Sequence, residues 1–168
     1  MNQAHVHLVL NHLPIIFPLV GLLVMVGGII LRSDIIKRIA YSIFIIGALS
    51  AIVAFITGEG AEEVVEKVQG VSDQFIKAHE EIADVFAALS YILGGISLIA
   101  FWANWKQKSF SNALSFSTVI FCLVVLFYAQ KTGTSGGEIR HTEIRNSTSA
   151  TPSTPEINTT KKSGGDED

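Results

Sequence analysis

The chain has 168 residues, of which 49% are apolar and only 16% charged, and its net charge is −3 with a mean hydropathy of +0.45. This composition is too hydrophobic for a soluble domain of that length and is typical of a membrane protein. The single cysteine, Cys122, excludes an intrachain disulfide and any zinc or iron–sulfur site built from several cysteines.

Four long runs without charged residues predict four membrane-spanning helices. At about 1.5 Å per residue, about 20 helical residues cross a hydrocarbon core of about 30 Å. The runs cover approximately residues 8–31, 39–57, 85–105 and 112–130. We therefore expect residues 1–145 to form an all-α, polytopic four-helix membrane bundle.

The first run opens with HVHLVLNHLPIIFP, which is unusually polar for a helix that enters a membrane. The run lacks a basic n-region and is longer than the apolar part of a signal peptide, so we expect it to stay in the mature protein. Two starting points are compatible with the sequence. Either the helix begins near His5, or it begins at Pro14, whose missing N–H costs nothing in the first turn.

The distribution of lysine and arginine predicts the orientation in the membrane. The first loop, RSDIIKR, carries three basic residues and one acid, and the third loop, NWKQKS, carries two basic residues and no acid. Short basic loops are retained in the cytoplasm, so both termini should face outward, which in a bacterium is the periplasmic side of the inner membrane. All five histidines then lie at that outer face: His5, His7, His12, His79 and His141.

The segments beyond the four runs have distinct compositions. Residues 61–69 contain helix-forming residues and three valines and end at Gly70, which predicts a short surface helix between the second and third spans. Gly136 and Gly137 predict a turn after the fourth span. Residues 146–168 are rich in serine, threonine and proline with almost no large apolar residue, so we expect a disordered tail.

The histidines of the first run are candidate ligands. A lone histidine at the membrane boundary can serve as an amphipathic anchor. Three histidines within eight residues, joined by Asn11, favour a site, because polar side chains in a membrane are costly and usually face the bundle interior. We interpret His7, Asn11 and His12 as one wall of that site.

The other walls are expected from the third and fourth helices. His79 is in register with Phe86 and Ser90 on the predicted inward face, although a solvated helix residue is an equally good interpretation. Glu138 and His141 are three residues apart, and Glu80 adds a carboxylate beside His79.

Together these motifs resemble a family of bacterial four-helix membrane proteins of unknown function. The resemblance lies in NHLP at the first helix, in Thr57-Gly58 followed by Ala61 after the second, in His79 before the third, and in the Gly-Gly-x-x-x-His pattern of residues 136–141. The histidine placement is also similar to that of membrane cytochromes b, which implies a haem or metal site.

We therefore expect a membrane protein that binds haem b, or else copper, zinc or iron, and passes electrons at the outer face. The alternatives are a non-redox protein that binds or senses a divalent metal, and a scaffold subunit of a membrane complex. A redox carrier or binding subunit is favoured over a stand-alone enzyme. The expected partners are the lipid bilayer and a periplasmic redox protein or membrane complex, with no nucleic acid. The candidate cofactor ligands are His7, His12, His79 and His141, and the candidate metal ligands are His12, His79, His141, Glu80 and Glu138.

Overall fold

A computed structural model describes residues 3–67 and 71–145, so the predicted tail lies outside the described residues. Within these ranges five α-helices follow one another, and α5 is followed by a short 3₁₀ helix, Thr142–Ile144. No strand occurs in the described ranges, which confirms the all-α prediction. The α-helices are α1 (Gln3–Leu10), α2 (Leu13–Ile30), α3 (Asp34–Val65), α4 (Asp73–Trp105) and α5 (Ser111–Arg140).

Four helical segments are long and apolar enough to cross a membrane, as a multi-pass membrane protein requires. The first segment combines α1 and α2 over Ala4–Ile30, and the others are α3, α4 and α5. These helices are longer than the uncharged runs, because the charged residues at their ends remain helical. The prediction of four crossings agrees with this architecture.

The first segment is interrupted, so each of the two predicted starting points is partly right. α1 ends at Leu10, and α2 begins at Leu13 with Pro14 in its first turn. The carbonyl of His12 accepts the N–H groups of Ile15 at 3.1 Å and Ile16 at 3.0 Å, which starts the new helix. The break follows from Pro14, which has no N–H to donate to the carbonyl one turn earlier.

The helices are arranged as a ring around one apolar core. α2 packs against α3 and α5, and α4 packs against the same two helices, so α2 and α4 lie diagonally opposite each other. α1 packs against α3. The fully buried large side chains include Met25, Tyr41, Phe44, Leu93 and Val125. Consecutive helices are neighbours, as in an up-down-up-down bundle.

Glycines allow close approach between neighbouring helices, as the small-residue pattern of a membrane bundle requires. A Cβ added at Gly94 would lie 2.5 Å from the Cβ of Ala48, and one at Gly47 would lie 3.0 Å from the Cβ of Phe17. Gly95 differs, because nothing lies within 4 Å of its added Cβ.

Two local predictions fail or lack support. The separate surface helix at residues 61–69 is not confirmed: Ala61 to Val65 continue α3 without interruption, and residues 68–70 lie outside the described ranges. The turn expected at Gly136 and Gly137 is wrong, because both glycines are helical within α5.

A polar cluster joins three helices at the end of the bundle formed by residues 31–38 and 104–112, which we call the loop end. The Asp34 carboxylate accepts hydrogen bonds from Asn104 at 3.0 Å, Gln107 at 3.2 Å and Lys37 at 3.4 Å. Lys37 is 6% exposed and also donates to Asn112 at 2.9 Å. The cluster thereby ties the start of α3 to the end of α4, to the loop after α4 and to the start of α5.

Candidate functional site: two histidines at the opposite end of the bundle

The opposite end, which we call the histidine end, is formed by α1, the last turns of α3 and α5, and the first turns of α4. Here the partly buried ring of His7 reaches α3. Its Nδ1 lies 3.0 Å from the carbonyl oxygen of Ala54 and 3.3 Å from the hydroxyl of Thr57. A carbonyl oxygen can only accept, so Nδ1 carries the proton, and the lone pair of the neutral ring is on Nε2.

The Thr57 hydroxyl is consistent with this tautomer. It donates to the carbonyl of Val53 at 2.8 Å, so its oxygen is available to accept from His7. Gly58, the next residue, leaves space for the ring, since a Cβ added there would lie 3.5 Å from His7 Cε1. His7 is therefore positioned by three residues of α3, Ala54, Thr57 and Gly58.

The His79 ring is held in the same manner by α5. Its Nδ1 lies 2.9 Å from the Ser135 hydroxyl, which itself donates to the carbonyl of Thr132 at 3.1 Å. The Ser135 oxygen therefore accepts from Nδ1, and the lone pair of neutral His79 is also on Nε2. A Cβ added at Gly136 would lie 3.1 Å from His79 Cε1, so the ring rests directly on a glycine.

The two rings lie at the same end of the bundle, His7 against α3 and His79 against α5. His7 lies on α1 and His79 on α4, so the two rings come from different helices. In metal-ligating histidines, the second ring nitrogen is usually fixed by a carbonyl, carboxylate or water. Both rings have a fixed Nδ1–H and an Nε2 lone pair, the form that a ligand must have.

Asn11 adds an unusual polar atom near His7. Its backbone N–H donates to the His7 carbonyl at 2.8 Å, so the two residues are one helical turn apart. Its side-chain oxygen Oδ1 is buried and has no hydrogen-bond partner among the residues that the structure describes. Buried polar atoms are nearly always paired, so this oxygen is suited to a donor from outside the described chain.

The other predicted ligands do not join the pair. His12 is exposed at the start of α2, His5 is exposed on α1, and Glu80 is exposed on α4. His141 follows α5 and contacts Glu143 at 2.9 Å, with side chains that are 62% and 68% exposed. The pKa of Glu143 is lowered by a hydrogen bond from its own backbone N–H and by another from His141.

The metal-ligand set predicted from the sequence is consequently not assembled. Within residues 3–67 and 71–145, no three histidine, cysteine or acidic side chains are placed to bind one metal ion. The set in question is His12, His79, His141, Glu80 and Glu138. The structure does place two histidine rings, His7 and His79, at the same end of the bundle, each held by a neighbouring helix.

The hydrogen-bond acceptors that orient the His7 and His79 rings were not predicted from the sequence. Ala54 acts through its backbone, which leaves no side-chain signal. Ser135 lies six residues after Ala129, so it departs from the three- and four-residue spacing of the buried α5 positions Thr118, Cys122, Val125 and Ala129 and gives no periodic signal.

No protein-family model, curated protein or solved structure matches this chain. The geometry of the site therefore carries the functional argument.

Proposed function

We propose that this protein is a membrane electron carrier that binds haem b through His7 and His79. The observation that supports the proposal is the matched pair of imidazoles, each with Nδ1–H fixed by a neighbouring helix and a lone pair on Nε2. A haem with two histidine ligands needs neutral rings from different helices and an acceptor on each second nitrogen. When bound, haem supplies one-electron redox chemistry.

The chain's own residues would position the ligands. The Ala54 carbonyl and the Ser135 hydroxyl select the tautomer and prevent the rings from rotating. Gly58 and Gly136 let each ring lie against the adjacent helix. Phe86, two turns along α4 from His79, is 5% exposed and belongs to the apolar core beside this end of the bundle.

The number of ligands favours haem over a structural metal ion. Zinc in proteins takes three or four side-chain ligands. Haem would bring four nitrogens of its own and would need only two ligands from the protein, His7 and His79. A two-histidine site therefore fits a haem better than it fits a bare divalent ion.

The test is a reduced-minus-oxidised optical spectrum of the purified chain after expression with ample haem. We expect Soret and α-band changes that His7→Ala and His79→Ala each abolish or strongly shift. The matched control is His141→Ala, which removes an exposed histidine from the same end of the bundle and should leave the spectrum unchanged. The proposal is contradicted if the parent protein shows no haem signal. It is also contradicted if the signal is unchanged in both His7→Ala and His79→Ala.

A further inference from the structure

An open groove lies between α3 and α4 at the loop end, far along both helices from the histidines. Its lining residues are Ile35, Arg38, Ile39, Ser42, Phe101 and Trp105. Ile35 and Ile39 are 66% and 50% exposed, so the groove faces the surroundings of the bundle and not its core. The groove runs about 10 Å along α3 from Ile35 to Ser42, at about 1.5 Å per residue.

Arg38 is the one charged residue in this otherwise largely apolar groove. Its Nε donates to the Asp34 carbonyl at 3.2 Å, and its guanidinium carbon lies 5.5 Å from the centre of the Trp105 ring. These two contacts fix the plane of the guanidinium. Such a fixed group loses little side-chain freedom when it binds a ligand.

The two terminal nitrogens of Arg38 are available for a ligand. Among the described residues, neither makes a hydrogen bond, and no carboxylate pairs with Arg38. The nearest acid in sequence, Asp34, already accepts from Lys37, Asn104 and Gln107. A guanidinium presents these nitrogens as a fork that matches two oxygens of a phosphate.

The surroundings indicate which phosphate is bound. Besides the Lys37–Asp34 pair, the loop end carries Arg32, Lys106 and Lys108 and no further acid, so it attracts negative charge. Trp102 and Trp105 lie at this end, and tryptophan is enriched where lipid headgroups meet the hydrocarbon core. Basic pockets between membrane helices bind anionic lipid headgroups.

We propose that this groove binds an anionic phospholipid, with its phosphate on the terminal nitrogens of Arg38 and an acyl chain along Ile39 and Phe101. A lipid is favoured over free phosphate because the apolar side chains of Ile39 and Phe101 would contact an acyl chain, which free phosphate lacks. The inference is independent of the histidine site, because it uses different helix ends and no redox chemistry.

The test is native mass spectrometry of the full chain in detergent, titrated with phosphatidylglycerol and, separately, with phosphatidylcholine. We expect one phosphatidylglycerol to bind more tightly than phosphatidylcholine. Arg38→Gln should weaken phosphatidylglycerol binding roughly tenfold or more, the effect of losing one charge-assisted bidentate contact. Arg38→Lys, which keeps the charge but not the fork, should also weaken it.

Two further variants make the result specific. Lys108 lies 5.6 Å from the Trp102 ring centre and is outside the groove, so Lys108→Gln is a matched control that should change binding less than twofold. Ile39→Trp should block the acyl-chain path with Arg38 intact, and it tests the groove even where Arg38→Gln does not fold.

The proposal is overturned if Arg38→Gln binds phosphatidylglycerol as tightly as the parent chain. It is also overturned if Lys108→Gln weakens binding as much as Arg38→Gln does, because the general positive charge of the loop end would then explain the binding. Equal binding of the two lipids also overturns it. Competition by excess inorganic phosphate would indicate a simple anion site and would overturn the lipid assignment.

Discussion

The contact between Gly94 on α4 and Ala48 on α3 gives a sharp test of the packing that holds the bundle together. The Cβ introduced by Gly94→Ala would lie 2.5 Å from the Cβ of Ala48, about 1 Å closer than ordinary carbon contact. Neither atom is at the end of a flexible side chain, so the two helices must move apart. Overpacking of this kind costs about 1–3 kcal/mol of unfolding free energy.

The same helix provides a matched control. Gly95 has nothing within 4 Å of an added Cβ, so Gly95→Ala introduces the same methyl group without a clash. Replacing glycine by alanine inside a helix stabilises it by up to about 1 kcal/mol. Gly95→Ala should therefore be neutral or slightly stabilising.

Exchanging the two small residues should rescue the defect. In the double variant Ala48→Gly/Gly94→Ala, the nearest remaining atom is the Ala48 Cα, 4.0 Å from the new Cβ, which is an ordinary contact. The helix-propensity effects of the two changes have opposite signs and similar size, about 1 kcal/mol each. We expect the double variant to be close to the parent protein in stability.

Reversible unfolding in detergent, followed by circular dichroism, measures these differences. The expected order of stability places Gly94→Ala lowest, with the parent, Gly95→Ala and the double variant grouped above it. If Gly94→Ala is as stable as Gly95→Ala, or if the exchange fails to rescue it, the close α3–α4 contact is refuted.

Two further predictions concern the two ends of the bundle. Gly136→Ala places a Cβ 3.1 Å from His79 Cε1, so it should shift the haem spectrum or reduce haem retention. Gly133→Ala is the control, because its added Cβ meets only a side-chain carbon of Ile15 at 3.8 Å and should leave the spectrum unchanged. Identical haem spectra for the two variants would contradict this prediction. Asp34→Ala leaves Lys37 and Asn104 without their shared acceptor. The free energy of unfolding in the detergent assay should fall by about 1–3 kcal/mol. An unfolding transition identical to that of the parent protein would disprove this prediction.

The number of membrane-crossing helices was predictable because lipid imposes one strong requirement, a long run without charge. The ends of the helices were not predictable, because helical turns beyond the hydrocarbon core can contain charged residues. α5 continues ten residues past the predicted end at Gln130, through Lys131 to Arg140. Gly136 looked like a turn residue because glycine is flexible, but here its missing side chain makes room for His79.

The placement of the histidine side chains was predicted only in part. The sequence indicates that the histidines share one face of the membrane, but it does not give the direction of each side chain. His7 and His12 are five residues apart, which in a regular helix corresponds to about 140° of rotation, so both could not point at the same neighbour. His141 lies one residue beyond α5, where the helix no longer directs it inward. His79 was the inward histidine that the register with Phe86 and Ser90 favoured.

The packing of α1 links the fold to the proposed function. Because Pro14 cannot donate a backbone hydrogen bond, the helical hydrogen-bond pattern is interrupted between Leu10 and Leu13, while His12 keeps helical backbone angles. α1 packs on α3, and this contact brings His7 to the carbonyl of Ala54. The packing of α1 on α3 therefore selects which histidine of the opening segment reaches the bundle, and the number of histidines alone could not reveal that choice.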